Sequence, residues 1–379
     1  MGENRGKNPT EKTKMMLCAA AAGRCEFEGC NKFLFEEELT LTPLNISQIA
    51  HNIASSPAGP RGDIILSHKV SNDLENLLLL CAKHHKLVDD NPACYPVERL
   101  KLMKKKHEAE IHRLCELMYY PECITVRLQS PIKGKIPVTI DQREVNNVIA
   151  SKYKPQDKFG PLIEIIISEP YDTKNFWSYA DKEIERQYNI KILPLLDNKT
   201  VCHVAVFPLA PIPMIIKLGY LIGDKIPVHV YQKFRSTNNW QWLNNSTEPN
   251  FSIKKVVRNG SNPKRIAIIF SISAHIDASR IPESEDIFYH FTVDNPNVEV
   301  IRSENDLNQF KLKYLFLLDR IKTEYPKLNV LDIFCAVPSS VAFEIGNSYM
   351  QGVYPKIRIF DDNNGFFETL TIGGDDDAD

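Results

Sequence analysis

The chain has 379 residues, more than one hydrophobic core usually organises, so two domains are expected. Its 43% hydrophobic and 25% charged residues and its net charge of −2 are typical of a globular protein and exclude a histone-like nucleic-acid binder. Seven of the nine cysteines and six of the ten histidines fall within the first 123 residues. This skew predicts a metal-bearing N-terminal module. The odd cysteine count favours a reducing cytoplasm over a secreted disulfide scaffold.

Three lysines precede an apolar stretch at residues 15–22, an arrangement that superficially resembles a signal peptide. The leader also carries acidic residues and the stretch is rich in alanine, so we expect a short helix that ends at Gly23. The longest uncharged apolar run, residues 204–216, contains three prolines and is too short to span a bilayer. No transmembrane segment is predicted.

The predicted elements divide the chain into three parts. Residues 1–123 combine short strands with a Pro/Gly/Ser-rich loop at 55–63 and a charged helix from 96 to about 119. Residues 124–158 contain β-like segments at 124–128 and 136–140 and are interpreted as a linker that pairs into a sheet. Residues 159–379 alternate helices with strands, which predicts an α/β domain; its strands are expected at 162–167, 201–207, 266–272, 330–337 and 357–360.

The third part contains an internal repeat of strand, proline turn, helix and strand. Pro211 and Gly219 are eight residues apart, Pro338 and Gly346 are also eight apart, and the two pairs are offset by 127 positions. Prolines are common after strands, so chance is the alternative interpretation. If the repeat is real, two βαβ halves face each other and their strand ends form a crevice of the kind in which α/β sheets bind ligands.

Two pairs of potential metal ligands lie fifty residues apart in the first part. Cys25 and Cys30 form a C-x4-C pair, and Cys81 and His84 form a C-x2-H pair. Four such ligands are typical of a closed tetrahedral zinc site that stabilises a loop-rich module. Buried free thiols are the alternative.

The surroundings of this cluster resemble a known nuclease family. His51 lies in the sequence Ile-Ala-His-Asn-Ile, Asn76 precedes four leucines and Cys81, and His85 directly follows His84. Residues 15–112 thereby resemble the HNH nucleases, whose fold is a zinc-braced ββα-metal finger of the α+β class. The resemblance implies that His51 is the general base, that His85 binds a catalytic Mg²⁺, and that Asn76 fixes the strand bearing the base.

One position departs from the HNH pattern. Many HNH nucleases carry an acidic metal ligand immediately before the base histidine, whereas this chain has Ala50 there. The catalytic ion would then need another donor, for which Asp63, Asp73 and Asp89 are unranked candidates. The basic run at residues 99–107 would either follow a phosphate backbone or form a solvated helix face.

The third part resembles a second family. The sequences F-P-L-A-P-I-P at 207–213, W-Q-W at 240–242 and A-V-P-S-S at 336–340 are similar to the SAVED domain, and the similarity extends over roughly residues 150–370. That resemblance implies two Rossmann-like, CARF-like halves that recognise cyclic oligonucleotide second messengers in the bacterial anti-phage systems called CBASS. The whole chain resembles CBASS effectors in which an HNH nuclease is fused to SAVED.

A cyclic dinucleotide offers two bases for stacking and two phosphates for neutralisation. Aromatic side chains would stack on the bases, cations would pair with the phosphates, and backbone amides at the two proline turns would favour an anion. For any single one of these aromatic residues, a position in the core is the favoured alternative. The residues expected to bind the ligand are Pro211, Ile212, Gln232, Lys233, Arg235, Trp240, Trp242, Ser273, Pro338, Ser339 and Ser340, with Phe176, Trp177 and Tyr231 as further stacking candidates.

These features together predict a metal-dependent endonuclease of double-stranded DNA that a cyclic dinucleotide activates. Its expected cofactors are structural Zn²⁺ and catalytic Mg²⁺. Ligand binding is expected to convert a homodimer into a higher oligomer, such as a tetramer, in the bacterial cytoplasm. Two alternatives remain open: a restriction nuclease that reads modified DNA, and a non-catalytic zinc-finger regulator.

Overall fold

A computed structural model of the chain describes residues 6–156, 160–197, 201–243, 245–246, 248–259 and 263–374. The chain divides into two compact units, Met1–Tyr119 and Tyr120–Asp379. The predicted first module thus extends four residues beyond the first unit, and the boundary expected at 158/159 lies outside the described residues. In the described part of the chain, no helix has both the length and the apolar character needed to cross a membrane.

The first unit is a two-stranded sheet surrounded by helices. The antiparallel strands pair Ser47 with Cys81 and His51 with Leu77. The four consecutive leucines before Cys81 are all fully buried, so both faces of their strand are covered. The elements are α1 (Glu11–Ala20), β1 (Ser47–His51), α2 (Ser67–Val70), β2 (Leu77–Cys81), α3 (Ala82–Asp90) and α4 (Val97–Glu116), with 3₁₀ turns at Leu74–Asn76 and Leu117–Tyr119.

The second unit contains two sheets joined by helices. The smaller sheet has the order β4-β3-β6-β7 with β5 also paired to β3, and the larger has the order β13-β12-β11-β9-β10-β8. The strands are β3 (Glu122–Gln129), β4 (Lys154–Pro155), β5 (Leu162–Glu164), β6 (His203–Leu209), β7 (Val228–Val230), β8 (Phe251–Val257), β9 (Ile266–Ser271), β10 (Ile287–Val293), β11 (Val330–Ala336), β12 (Lys356–Asp362) and β13 (Phe366–Ile372). The helices are α5 (Gln142–Ile149), α6 (Lys174–Lys191), α7 (Leu193–Asp197), α8 (Ile212–Ile222), α9 (Glu304–Glu324) and α10 (Ser339–Asn347), with a 3₁₀ turn at Ala278–Arg280.

Residues 124–158 belong to the second unit. Instead of linking two modules, they contribute β3, α5 and β4, and β3 lies inside the smaller sheet beside β6. The prediction of a strand at residues 136–140 is wrong. The chain turns there at Lys133 and Gly134, which both have positive φ, and only Ile132 and Ile136 pair, in an isolated bridge.

The internal repeat is longer than the sequence indicated. The series β3, β5, α6, β6, α8, β7 has the same order as β9, β10, α9, β11, α10, β12. The corresponding strand pairs are parallel in both halves, for example β3 with β6 and β9 with β11. Each half is therefore a Rossmann-like unit in which a helix follows the carboxyl end of a buried strand.

Helices α8 and α10 join the two halves through glycine. A Cβ atom on Gly346 would lie 1.9 Å from the Ile216 carbonyl oxygen, and one on Gly219 would lie 2.3 Å from that of Phe343. The Asn347 amide donates to the Gly223 carbonyl near the helix ends, 124 positions away in sequence, which is also the separation of Gly219 and Phe343. Both helices begin at one edge, because Ser340 in the first turn of α10 donates to Gln232, which follows the carboxyl end of β7, and β7 is parallel to β6, the strand that precedes α8.

We expect Gly346→Ala to destabilise the second unit by about 3 kcal/mol, because the added methyl group would collide with backbone that has no rotamer to change. Urea unfolding of the full chain measures this loss. Ser339→Ala, at a half-buried position on the same helix, serves as the control and should change stability by less than about 0.5 kcal/mol. Equal stability of Gly346→Ala and wild type would contradict the close helix contact.

Candidate functional site

Four soft donors converge in the first unit. The Sγ atoms of Cys25, Cys30 and Cys81 and a ring nitrogen of His84 all lie within 4.8 Å of one another. His84 Nδ1 is 3.3 Å from Cys81 Sγ and 3.6 Å from Cys25 Sγ. The four residues of the predicted C-x4-C and C-x2-H pairs therefore lie together in space, although the two pairs are far apart in sequence.

Local structure explains how each donor reaches the cluster. Cys81 ends β2 and precedes α3, so His84 in the first helical turn lies beside it. Cys30 returns towards Cys25 through a tight turn in which its N–H donates to the Phe27 carbonyl at 3.0 Å. The Phe27 ring stacks on His84 with centroids 4.1 Å apart, which fixes the imidazole.

The cluster fits a tetrahedral zinc ion. Burial raises the pKa of the Cys25 thiol to about 12, so a metal cation is needed to hold it as a thiolate at neutral pH. The Cys81 N–H donates to Cys25 Sγ at 3.3 Å, the type of outer contact that supports a metal-bound thiolate. Three sulfurs and one imidazole nitrogen are a closed ligand set of the structural type.

Asn76 holds the chain segment that follows β1. Its side-chain oxygen accepts from the Ile53 N–H and its Nδ2 donates to the Ile53 carbonyl, both at 2.9 Å. A further bond reaches the Val70 carbonyl at 3.2 Å. His51, the last residue of β1, has its Nε2 3.1 Å from the Ser71 carbonyl oxygen. An N–H on Nε2 would donate there, which leaves the lone pair of a neutral imidazole on Nδ1.

Arg61 connects this strand end to α3, a role that the sequence did not reveal. Its guanidinium donates to the Asn52 carbonyl at 2.8 Å, to the Val88 carbonyl at 2.7 Å and to Asp89 Oδ1 at 2.8 Å. The same group reaches the His51 carbonyl at 3.3 Å. The arginine thereby ties the His51 strand to the end of the helix that carries His85.

The three candidate acidic donors differ in their surroundings. Asp63 accepts backbone N–H groups from Ile65 and Leu66, which lower its pKa, and Asp73 caps the 3₁₀ turn that precedes β2. Asp89 lies one helical turn after His85, with its Oδ2 3.7 Å from His85 Nδ1. Asp89 is thus the candidate placed beside His85. Among the described residues, no third His, Cys, Asp or Glu side chain joins this pair in a cluster.

In the second unit, the edge where α8 and α10 begin is suited to an anion. Both helices have proline as the N-cap residue, Pro211 and Pro338, and neither makes a side-chain capping bond. The first-turn N–H groups and the positive ends of two helices therefore lie at the same edge of the unit. Ser339, the first residue of α10, is half-buried there.

Several residues expected to bind ligand are occupied inside the protein. Buried Ser340 donates to the Gln232 amide oxygen at 2.6 Å, and the Gln232 Nε2 donates to the Ile301 carbonyl at 2.7 Å. Trp240 is fully buried. The stacking candidates Phe176, Trp177 and Tyr231 are also core residues. These aromatic side chains thus match the core interpretation rather than the ligand-stacking one.

Other predicted residues remain accessible. Lys233 is half-buried, and its ammonium lies 3.3 Å from Glu144. The Lys233 ammonium also lies 5.8 Å from the centroid of the Trp240 ring. Besides Lys233, the expected ligand-binding residues that are exposed or half-buried are Ile212, Arg235, Trp242, Ser273 and Ser339. Ile212 and Trp242 also pack against buried core residues.

A contact between the halves was not foreseen. Tyr171, in the loop after β5, donates a hydrogen bond to half-buried Asp361 at the carboxyl end of β12. Burial raises the pKa of Asp361, and the Tyr171 hydroxyl and nearby Lys133 oppose that shift. No sequence pattern indicated a pair 190 residues apart.

The fold and this edge define an α/β domain of two repeated halves. Residues 184–372 match the family model of the SAVED domain, "SMODS-associated and fused to various effectors sensor domain". The second unit therefore contains a SAVED sensor domain, and the expectation from sequence is confirmed for these residues. The match begins inside α6, so β3 and β5, which belong to the same repeat, precede it. No curated protein matches the chain.

Solved structures similar to the chain include Cap4 SAVED/CARF-domain receptors. The Acinetobacter baumannii receptor matches with 13% identity and a TM-score of 0.41, covering 79% of this chain and 62% of that one. Its complex with the cyclic trinucleotide 3'3'3'-cAAA matches with 13% identity and a TM-score of 0.45, covering 82% and 67%. The Moraxella osloensis receptor matches with 13% identity and a TM-score of 0.38, covering 76% and 60%. This chain thus spans about three fifths of the length of the first of these receptors.

Proposed function

We propose that the second unit binds a cyclic oligonucleotide at the edge where α8 and α10 begin, and that binding activates a DNA endonuclease in the first unit as a CBASS-type response. The observation that carries the sensing proposal is the pair of uncapped helix N-termini, one from each half of the repeat. Helix N-termini favour phosphate, and two repeated halves suit a ligand that repeats its own phosphates.

The family of the domain supports the same ligand class. SAVED domains are described as sensors fused to effectors. The Acinetobacter baumannii Cap4 receptor has been solved with the cyclic trinucleotides 3'3'3'-cAAA and 2'3'3'-cAAA. We propose that this chain prefers a cyclic dinucleotide, and direct binding measurements distinguish this from a preference for a trinucleotide.

The nuclease proposal depends on the order β1, β2, α3 in the first unit. His51 ends one strand, His85 lies in the following helix, and Asn76 bonds to the backbone beyond His51. Nδ1 of His51 would accept the proton of the attacking water, while the Ser71 carbonyl oxygen orients the ring through Nε2. A magnesium ion held by His85 and Asp89 would polarise the scissile phosphate.

Activation would proceed through assembly. We propose that ligand-bound chains associate from a homodimer into a higher oligomer, such as a tetramer, so that several nuclease units act on both strands of DNA in the bacterial cytoplasm. The ligand shifts this equilibrium only by the difference between its affinities for the two states. Sedimentation of the full chain with and without ligand measures the change.

The ligand test uses titration calorimetry of the full chain with a panel of cyclic di- and trinucleotides. For the best ligand, Ser339→Asp should weaken binding by about tenfold to a hundredfold, because it places a carboxylate at the α10 N-terminus. Ser178→Asp, an exposed position in α6, carries the same charge change and should bind like wild type. Absence of binding to the whole panel, or equal binding by Ser339→Asp, would refute sensing at this edge.

A further inference from the structure

A second groove lies in the SAVED-containing unit at the opposite edge of the larger sheet. Two adjoining cavities of about 610 and 500 Å³ open where β11 and β12 begin, and they share Tyr325, Asn329 and Val330 in their walls. Because α10 follows the carboxyl end of β11, this amino edge is separate from the proposed sensing edge. Cavities of this size accept a nucleotide-sized group rather than a whole duplex.

The groove has a single sign of charge. The residues that line the two cavities include four lysines and no Asp or Glu among those that the structure describes. All four lysines are exposed, and none forms a salt bridge with a described residue. They are Lys264, Lys322, Lys327 and Lys356. Outside the cavity walls, the Asp286 carboxylate accepts the Lys264 backbone N–H at 2.7 Å and partly offsets that lysine's charge, so the positive potential of the groove comes mainly from the other three ammonium groups, in a chain whose net charge is −2.

The other side chains in the groove suit a nucleic acid better than an acidic peptide. Tyr325 lies in the walls of both cavities and is half-buried, with Lys255 5.1 Å from its ring centroid. Asn329, exposed beside it, offers an amide donor and acceptor. A positive groove with an aromatic ring is the arrangement that binds single strands by phosphate contact and base stacking.

We infer that this amino-edge groove binds single-stranded nucleic acid through its four lysines and Tyr325. Through this site the second unit binds nucleic acid independently of both the cyclic ligand and the proposed nuclease chemistry of the first unit. A single strand can place an unpaired base against Tyr325, whereas the bases of a duplex are paired and stacked inside the helix, so a duplex would contact only the exposed lysines. The binding should therefore favour a single strand over the duplex of the same sequence.

The test is fluorescence anisotropy with a short labelled poly-dT strand and the full chain, without added Mg²⁺. The groove variant carries Lys264→Glu, Lys322→Glu, Lys327→Glu and Lys356→Glu. It should weaken binding at least tenfold and reduce the slope of log Kd against log salt by about 3, since each single-strand phosphate contact contributes about 0.7. Tyr325→Leu should weaken binding about fivefold through lost stacking.

A matched control carries the same four charge reversals at exposed lysines elsewhere in the second unit, namely Lys174, Lys225, Lys254 and Lys313. It should bind within about twofold of wild type, and thermal unfolding establishes that both quadruple variants are folded. Equal losses in the two variants would assign the effect to net charge and overturn the site. Polyglutamate that binds with the same lysine dependence, while poly-dT does not, would also overturn it in favour of an acidic protein segment.

Discussion

Serine in place of Cys81 is expected to unfold the first unit. The unit has a small core centred on β2, and Cys81 joins that strand to α3 while contributing one of four converging donors. Structural zinc contributes about 10–16 kcal/mol to the folding of finger peptides, which is as large as the whole stability of a typical domain. Loss of one thiolate leaves a site that cannot close around the ion.

The measurement combines zinc content by mass spectrometry with limited proteolysis of the full chain. Cys81→Ser should retain less than about a tenth of the metal, and residues 1–119 should be digested while the second unit persists. Cys115→Ser removes an exposed thiol from α4 and is the control, with normal metal and protection. A folded, metal-free Cys81→Ser protein would show that the cluster is a set of ordinary buried thiols.

The cluster was accessible to sequence reasoning because its ligands occur in two local pairs. Within each pair the two ligands are only four or two residues apart, so they stay close together in any fold. The prediction had to assume only that the two pairs approach each other in space. The repeat was visible for a similar reason. Gly219 and Gly346 recur at the same distance from a proline because the backbones of α8 and α10 touch at these positions, and only glycine leaves room.

The roles of single polar and aromatic residues could not be predicted in this way. Trp240 and Trp242 occur in one motif, yet Trp240 is fully buried and Trp242 only partly so. Gln232 and Ser340 bond to each other across 108 residues, and no local pattern records such a pairing. Residue type indicates what a side chain can do, whereas the distant partner that it meets decides whether it binds ligand or completes the core.

Arg61 shows the same limit in the first unit. Its loop is rich in proline, glycine and serine, which predicts only irregular backbone. At Arg61 the backbone has φ of +56°, and the side chain bonds to Asn52, which directly follows β1, and to Asp89 in α3. Such a residue positions the His51 strand against α3, a function that depends entirely on contacts made after folding.

The second large effect is expected on catalysis. With the best cyclic ligand and Mg²⁺ present, His51→Ala should lower plasmid cleavage by about 10²- to 10⁴-fold, the range that general-base catalysis contributes. In the proposed mechanism, the Ser71 carbonyl oxygen, 3.1 Å from Nε2, would favour the tautomer in which Nδ1 accepts the proton, and alanine would remove that acceptor. Stability should change little because His51 ends its strand and is only half-buried.

The control for this experiment is His68→Ala, which removes an exposed histidine from the short helix α2 of the same unit. It should cleave DNA like wild type, and both variants should retain zinc and ligand affinity.

Asn76→Asp is a second test of the same site. Asn76 bonds to the backbone of Ile53, two residues after His51, and retained zinc does not show that this segment is intact. The aspartate carboxylate cannot donate to the Ile53 carbonyl, and cleavage should fall although His51 is present. Unchanged cleavage by His51→Ala would remove the base from the proposed mechanism, and DNA binding without cleavage by the wild-type chain would favour a non-catalytic role for the first unit.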